Sequence, residues 1–212
     1  DRTISTTTGE LRTVCYLHFT LDDTNSSIYS LLIITNGGHF WLANDSNGQH
    51  VQLHFDLDMK QIFPDYITLA VDRSRKLAVI GSKFGHLGLL QSSSSTESSI
   101  ELIYFEQLHA GAKVFNVSFV ADRHVLCCLD SGRMYLYKIE PQGKFQQLAH
   151  FLLPVIRHPW SSCGVLLEEQ HTLIVGNFSG CVFVYDTDPI QSKINLAPIC
   201  DQHRHIHDAN GG

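Results

Sequence analysis

The densest group of chemistry-bearing side chains in this 212-residue chain is His203-Arg204-His205-Ile206-His207-Asp208. Alternate residues of an extended chain face the same way, so three imidazoles could in principle share a zinc ion. No cysteine or carboxylate motif supplies a supporting shell, and the segment reads as a loop with one bracing histidine. A second candidate is Ser161-Ser162-Cys163-Gly164, directly after Trp160, which offers hydroxyl and thiol nucleophiles. It lacks the Gly-x-Ser-x-Gly elbow and the strand–turn–helix context that would expose a nucleophile. The acidic pair Glu168-Glu169 falls where a strand-connecting turn is expected, and solvation accounts for it. Neither a Gly-x-Gly-x-x-Gly fingerprint nor a phosphate-cradling loop occurs. The sequence thus assigns no catalytic residue, no metal ligand and no cofactor. What remains is Ile156-Arg157-His158-Pro159-Trp160, a loop-like entry to a strand. There Arg157 and Trp160 are candidate partner contacts, because Trp and Arg dominate binding hot spots. Packing between neighbouring elements is the alternative use of that Trp.

Composition narrows the class. The chain is 43% hydrophobic and 17% charged, which suits a packed globular core. A net charge of −6 with histidine neutral argues against a broad basic face for nucleic acid. The basic run Asp72-Arg73-Ser74-Arg75-Lys76 reads as a solvated turn. Six cysteines at 15, 127, 128, 163, 181 and 200 show no Cys-x-x-Cys spacing. Cys127, Cys128 and Cys181 lie in apolar runs as small hydrophobes, so the thiols are expected to be reduced and the protein cytoplasmic. Four glycosylation-type triplets, including Asn116-Val117-Ser118 and Asn177-Phe178-Ser179, are discounted. No apolar run is long enough to span a membrane, and no secretory signal opens the chain. The missing initiator Met and the abrupt Gly211-Gly212 end suggest a piece of a longer polypeptide.

The elements that must position any site emerge from an internal repeat. Gly38, Gly85, Gly132 and Gly180 stand 47, 47 and 48 residues apart, and each precedes an alternating apolar run such as Arg133-Met134-Tyr135-Leu136. Short apolar runs at 31–35, 77–81, 125–129 and 173–176 come before them and stop at a polar, turn-forming tetrad. A glycine between two such runs permits the positive φ of a tight hairpin. Outer strands are expected at 14–19, 66–71, 114–120 and 161–167 ahead of the hairpins. Behind them, strands are expected at 51–57, 100–105, 145–152 and, weakly, 196–200. The low-complexity stretch 91–99 and residues 186–193 read as loops between third and fourth strands. Four short antiparallel strands in each repeat predict an all-β, WD-repeat β-propeller with about four four-stranded blades. The blades run approximately over 11–57, 64–106, 112–152 and 158–201, residues 202–212 opening a further one. Four blades do not usually close a propeller, so the chain is expected to be a fragment of a larger one.

The third-strand ending Tyr185-Asp186, with Tyr137-Lys138 one repeat earlier, resembles the Trp-Asp pair of WD repeats. His109-Ala110-Gly111 stands in place of the Gly-His near the blade's start. In that family the His and Asp join a hydrogen-bonded network that braces each blade. A closer likeness runs through Leu153-Pro154, His158-Pro159-Trp160, Val175-Gly176-Asn177-Phe178-Ser179-Gly180 and His205-Ile206-His207-Asp208-Ala209-Asn210-Gly211. This series is similar to the WD repeat-containing protein six family, the partner subunits of a tRNA ribose methyltransferase. That family carries a Trp-containing strand, a Gly-Asp-x-x-Gly hairpin and a His-Gly-x-x-Gly-Val-Thr segment opening the next blade. Asn177 replaces the hairpin Asp, and Asp208 replaces the Gly after His. The specific likeness covers a quarter of the chain, and no functional residue transfers with it.

The resemblance implies a non-catalytic scaffold that binds a methyltransferase, and tRNA through the full complex, supporting 2′-O-methylation of the anticodon wobble nucleotide. Catalysis and S-adenosylmethionine would belong to the partner. The alternative is a generic WD-repeat adaptor in another intracellular complex. A propeller hydrolase is disfavoured, because its site would need polar residues on innermost strands that read as apolar.

Overall fold

The computed structural model describes residues 11–20, 27–35, 38–44, 50–63, 67–93, 99–108, 110–153, 161–188 and 200–202. They form two compact units, Asp1–Gly111 and Ala112–Gly212. In the first unit, β1 (Leu11–Thr20), β2 (Ser27–Thr35), β3 (Phe40–Asn44) and β4 (His50–Leu53) make one antiparallel sheet in sequence order. A one-turn helix α1 (Met59–Ile62) follows. Then β5 (Ile67–Val71), β6 (Leu77–Ser82), β7 (His86–Ser93) and β8 (Ser99–Gln107) make the second sheet. In the second unit, β9 (Val114–Ala121), β10 (His124–Leu129), β11 (Arg133–Ile139) and β12 (Phe145–Leu152) form the third. The fourth comprises β13 (Ser161–Leu167), β14 (Thr172–Asn177), β15 (Val182–Asp186) and β16 (Cys200–Gln202).

The four repeated glycines sit where the spacing put them, between the second and third strand of each sheet. Each glycine N–H donates to the carbonyl three residues back: Gly38 to Thr35 at 3.0 Å, Gly85 to Ser82 at 3.3 Å, Gly132 to Leu129 at 3.0 Å and Gly180 to Asn177 at 3.1 Å. Their φ values are +72°, +81°, +79° and +76°. One tight turn, closed by a residue in the left-handed region, is thus built four times.

Stacking sheets in pairs buries the apolar faces. In the second unit Leu126, Met134, Leu136, Phe151 and Val120 of the third sheet pack with Leu166, Leu173, Val175, Phe183 and Tyr185 of the fourth. Gly164 on β13 permits close approach, since a Cβ there would lie 3.0 Å from Val120 Cγ1 and 3.3 Å from Leu126 Cδ2. Tyr185 is 1% exposed and donates its hydroxyl to the Leu152 carbonyl at 3.2 Å. In the first unit Leu32, Ile34, Phe40 and Leu42 share a core with Ala78, Ile80, Leu90 and Ile100.

The structure corrects three local expectations. The strand expected at 51–57 stops at Leu53, because Asp58 accepts the Gln61 N–H at 3.3 Å and starts α1. Met59 of that helix and Phe63 just beyond it are buried, Phe63 lying edge-on to both Phe40 and Phe105 at 6.3 Å between ring centres. The loop expected from 91 begins later, since β7 continues to Ser93 and the Ser92 N–H donates to the Lys76 carbonyl at 2.9 Å. The last strand lies at Cys200–Gln202, and 196–199 fall outside the described residues. The turn at 72–76 is not wholly solvated. Asp72 is 9% exposed, and its carboxylate accepts the N–H of Leu77 at 2.8 Å and of Ser74 at 3.2 Å, holding β5 to β6.

Two glycine substitutions separate backbone strain from crowding. A Cβ at Gly180 meets open space, whereas one at Gly38 would lie 2.8 Å from the Lys60 Cα and 3.0 Å from the Met59 carbonyl oxygen. Gly180→Ala should therefore cost about 1–2 kcal/mol from its left-handed conformation alone. Gly38→Ala should cost clearly more, because α1 must move. Urea unfolding midpoints of the two variants check the order.

Candidate interaction face

A polar side chain three residues before the glycine stiffens the hairpins of the second and fourth sheets. In the second sheet Ser82 Oγ accepts the N–H of Phe84 and of His86, both at 3.1 Å. With both acceptances made, the hydroxyl donates its own proton to His86 Nδ1, also at 3.1 Å. His86 stacks on Phe105, ring centres 4.8 Å apart, and burial holds its pKa below the ordinary 6.5. His39, the corresponding residue of the first sheet, is lowered by burial and then by the charge of Lys60. In the fourth sheet Asn177 Oδ1 accepts the N–H of Ser179 at 3.0 Å and of Cys181 at 2.8 Å. Asn177 is 5% exposed, so its glycosylation-type triplet presents no accessible acceptor in the folded chain. Asn116 lies within β9, as expected.

These rigid turns carry exposed aromatic rings beside cations. Phe178, at the tip of the β14–β15 hairpin, is 59% exposed. Its ring meets Phe115 edge-on at 5.9 Å, and Lys113 Nζ lies 6.0 Å from the centre of the Phe115 ring. Within the first unit Phe84 is 43% exposed at the β6–β7 tip, with Lys83 Nζ 5.1 Å from its ring centre. Exposed aromatics on stiff turns lose little entropy when a partner covers them, and a neighbouring cation adds directional attraction.

The sequence-derived candidates fare unequally. Arg157 and Trp160 lie outside the described residues, as do His203–Asp208 by number 203–208. Ser161, the next residue after Trp160, is 1% exposed and is the strand partner of Asn177. Ser161 and Cys163 belong to β13 rather than to a nucleophile elbow. Glu168 and Glu169 open a 3₁₀ turn between β13 and β14. Burial raises the Cys127 and Cys128 thiols above their ordinary range, the unreactive state expected of core cysteines. No group of three or more His, Cys, Asp or Glu suited to a metal occurs among the described residues. Nor is any helix among them long and apolar enough to cross a membrane. Phe178, Phe84 and Lys113 were not singled out from sequence. The available signal was an aromatic placed inside a turn tetrad, where neither strand face claims it.

No protein-family model and no curated protein matches the chain. Solved structures do match. The chain superposes on BamB from Moraxella catarrhalis with a TM-score of 0.53 and 15% identity, covering 91% of this chain and 51% of that one. The β-propeller domain of Myceliophteria thermophila Cps50 (Swd1) matches with a TM-score of 0.53 and 10% identity, over 74% and 53% of the two chains. The fold is that of a β-propeller. The BBS1 N-terminal domain, solved in complex with ARL6, gives a TM-score of 0.54 and 16% identity, over 87% and 54%. The chain spans about half the length of these structures.

Two outcomes test the hairpin bracing. Asn177→Ala leaves two backbone N–H groups unpaired at a buried turn and should destabilise by about 1–3 kcal/mol, whereas Asn177→Asp keeps the acceptor and should cost less. Chemical denaturation of both variants measures the difference. The lowered His39 and His86 mean that the unfolded chain binds protons more readily than the folded one. Their contribution is therefore present above pH 6.5 and is lost as pH falls below it. Denaturation midpoints should drop on acidification, and less steeply in a His39→Gln/His86→Gln variant.

Proposed function

We propose that the chain is part of a non-catalytic β-propeller scaffold that binds a tRNA ribose methyltransferase and supports 2′-O-methylation of the anticodon wobble nucleotide. The observation that carries the scaffold reading is the exposed Phe178 ring, held with Phe115 and Lys113 on a turn whose backbone is locked by Asn177. Arg157 and Trp160, which precede β13 in sequence, remain candidate partner contacts in the proposal. The methyltransferase and the tRNA are drawn from the sequence resemblance in the same region. On this reading the partner supplies catalysis, the chain binds no cofactor, and the assembly works in the cytoplasm.

The fourth sheet supports a propeller larger than four blades. Its second face carries Val165, 45% exposed, aligned across strands with Ile174 and Val184. Leu167 on the same face is 37% exposed. We assign this face to packing against a further blade; Gln202 itself belongs to β16 of the fourth sheet, so such a blade would open after it. A generic adaptor in another complex would use the same aromatic tips without the tRNA.

The test is wobble-position ribose methylation in tRNA from cells depleted of the full-length protein. Loss of methylation, rescue by the wild-type protein and impaired rescue by Phe178→Asp are expected. Unchanged methylation on depletion would sink the tRNA reading and leave the adaptor.

A further inference from the structure

The first unit carries a groove that the aromatic tips do not use. Residues 54–57 leave the first sheet after β4 and run beside 100–105 of β8, enclosing a cavity of about 580 Å³. Phe55, Leu57, Ile103 and Phe105 contribute apolar lining, and Leu57 is 41% exposed. Asp56 and Glu101 also line it, both exposed. A second cavity of about 470 Å³ shares 54–57 and adds Asp58 and Lys60. Carboxylates outnumber cations in this lining, and His39 in the second cavity is held toward its neutral form and does not offset them.

β8 is the last strand of its sheet, so its outer edge presents backbone donors and acceptors that no strand among the described residues takes up. Its ladder with β7 skips one residue: Leu90 pairs with Leu102 and Leu89 with Tyr104, leaving Ile103 as the extra residue at the groove. A sheet edge beside a groove lined by apolar side chains and carboxylates is the geometry that accepts an added strand, with main-chain hydrogen bonds supplying affinity and side-chain pockets supplying selectivity. The acidic lining selects the sign of the partner's charge.

We propose that this groove docks an extended peptide segment of another protein in which apolar residues alternate with Lys or Arg. The segment lies along residues 100–105, sets its apolar side chains against Phe55, Leu57 and Ile103, and places its cations near Asp56, Asp58 and Glu101. This site is independent of the tRNA reading, because it uses neither the Phe178 tip nor the region of that resemblance.

The experiment uses the full chain with two fluorescein-labelled peptides, one of alternating Leu and Lys and the other of alternating Leu and Glu. Binding is followed by anisotropy, and amide hydrogen exchange maps the contact. The Leu/Lys peptide should bind, protect β8 amides and lose affinity roughly tenfold in Asp56→Lys/Glu101→Lys, whose sites are exposed. Glu168→Lys/Glu169→Lys makes the same charge change in the other unit and should leave binding unaltered. Equal loss in both double variants would reduce the effect to net charge and overturn the proposal. Equal binding of the Leu/Glu peptide, binding without β8 protection, or no binding of the Leu/Lys peptide would overturn it as well.

Discussion

A four-stranded sheet of short strands has two faces and cannot cover either by itself, and the rest of this structure depends on that constraint. Each compact unit meets it by laying two sheets together over a shared apolar core. The hydrophobic return scales with the area covered, so residues at the contact are selected for fit. Gly164 lets Val120 and Leu126 approach β13, and Tyr185 satisfies its hydroxyl on the neighbouring sheet while burying its ring. Tyr185 is an aromatic with a polar end, so it buries its ring and still reaches an acceptor on the adjacent sheet.

Coverage fixes the faces, and the turns then fix the ends. A hairpin closed by a left-handed glycine and, in the second and fourth sheets, by a Ser or Asn acceptor has few alternative conformations. Side chains set on such turns project reproducibly, which lowers the entropy lost when a partner covers them. The same polar atom can serve structure and rule out another role. Asn177 spends its carbonyl oxygen on two backbone N–H groups and is thereby withdrawn from the surface. Phe178, its neighbour, is displaced outward by the turn.

Much of the architecture was legible because turn chemistry and strand alternation are local. The 47-residue period located every hairpin glycine, and the expected strand at 145–152 coincides with β12. Expectation failed where a distant contact decided the conformation. Residues 54–57 are apolar enough for a strand, yet Asp58 caps a helix whose Met59, with Phe63 beyond it, fills a gap between sheets. Asp72 looked like one charge in a solvated run. It is the buried brace of its turn, because its carboxylate meets the N–H of Leu77 five residues on.

By itself the sequence determined the fold class, the repeat and the hairpin positions, because glycine's access to positive φ and the two-residue period of strands act over a few residues. It also set the absence of any recognisable catalytic motif. Only the tertiary structure decided which apolar residues are covered. Phe178 and Phe183 stand five residues apart in one hairpin, yet one is 59% exposed and the other 0%. Likewise the groove beside β8 joins residues 54–57 to 100–105, which are far apart in sequence. Burial is a property of what arrives from elsewhere in the chain, and no local pattern encodes the neighbour that covers a side chain or leaves it bare.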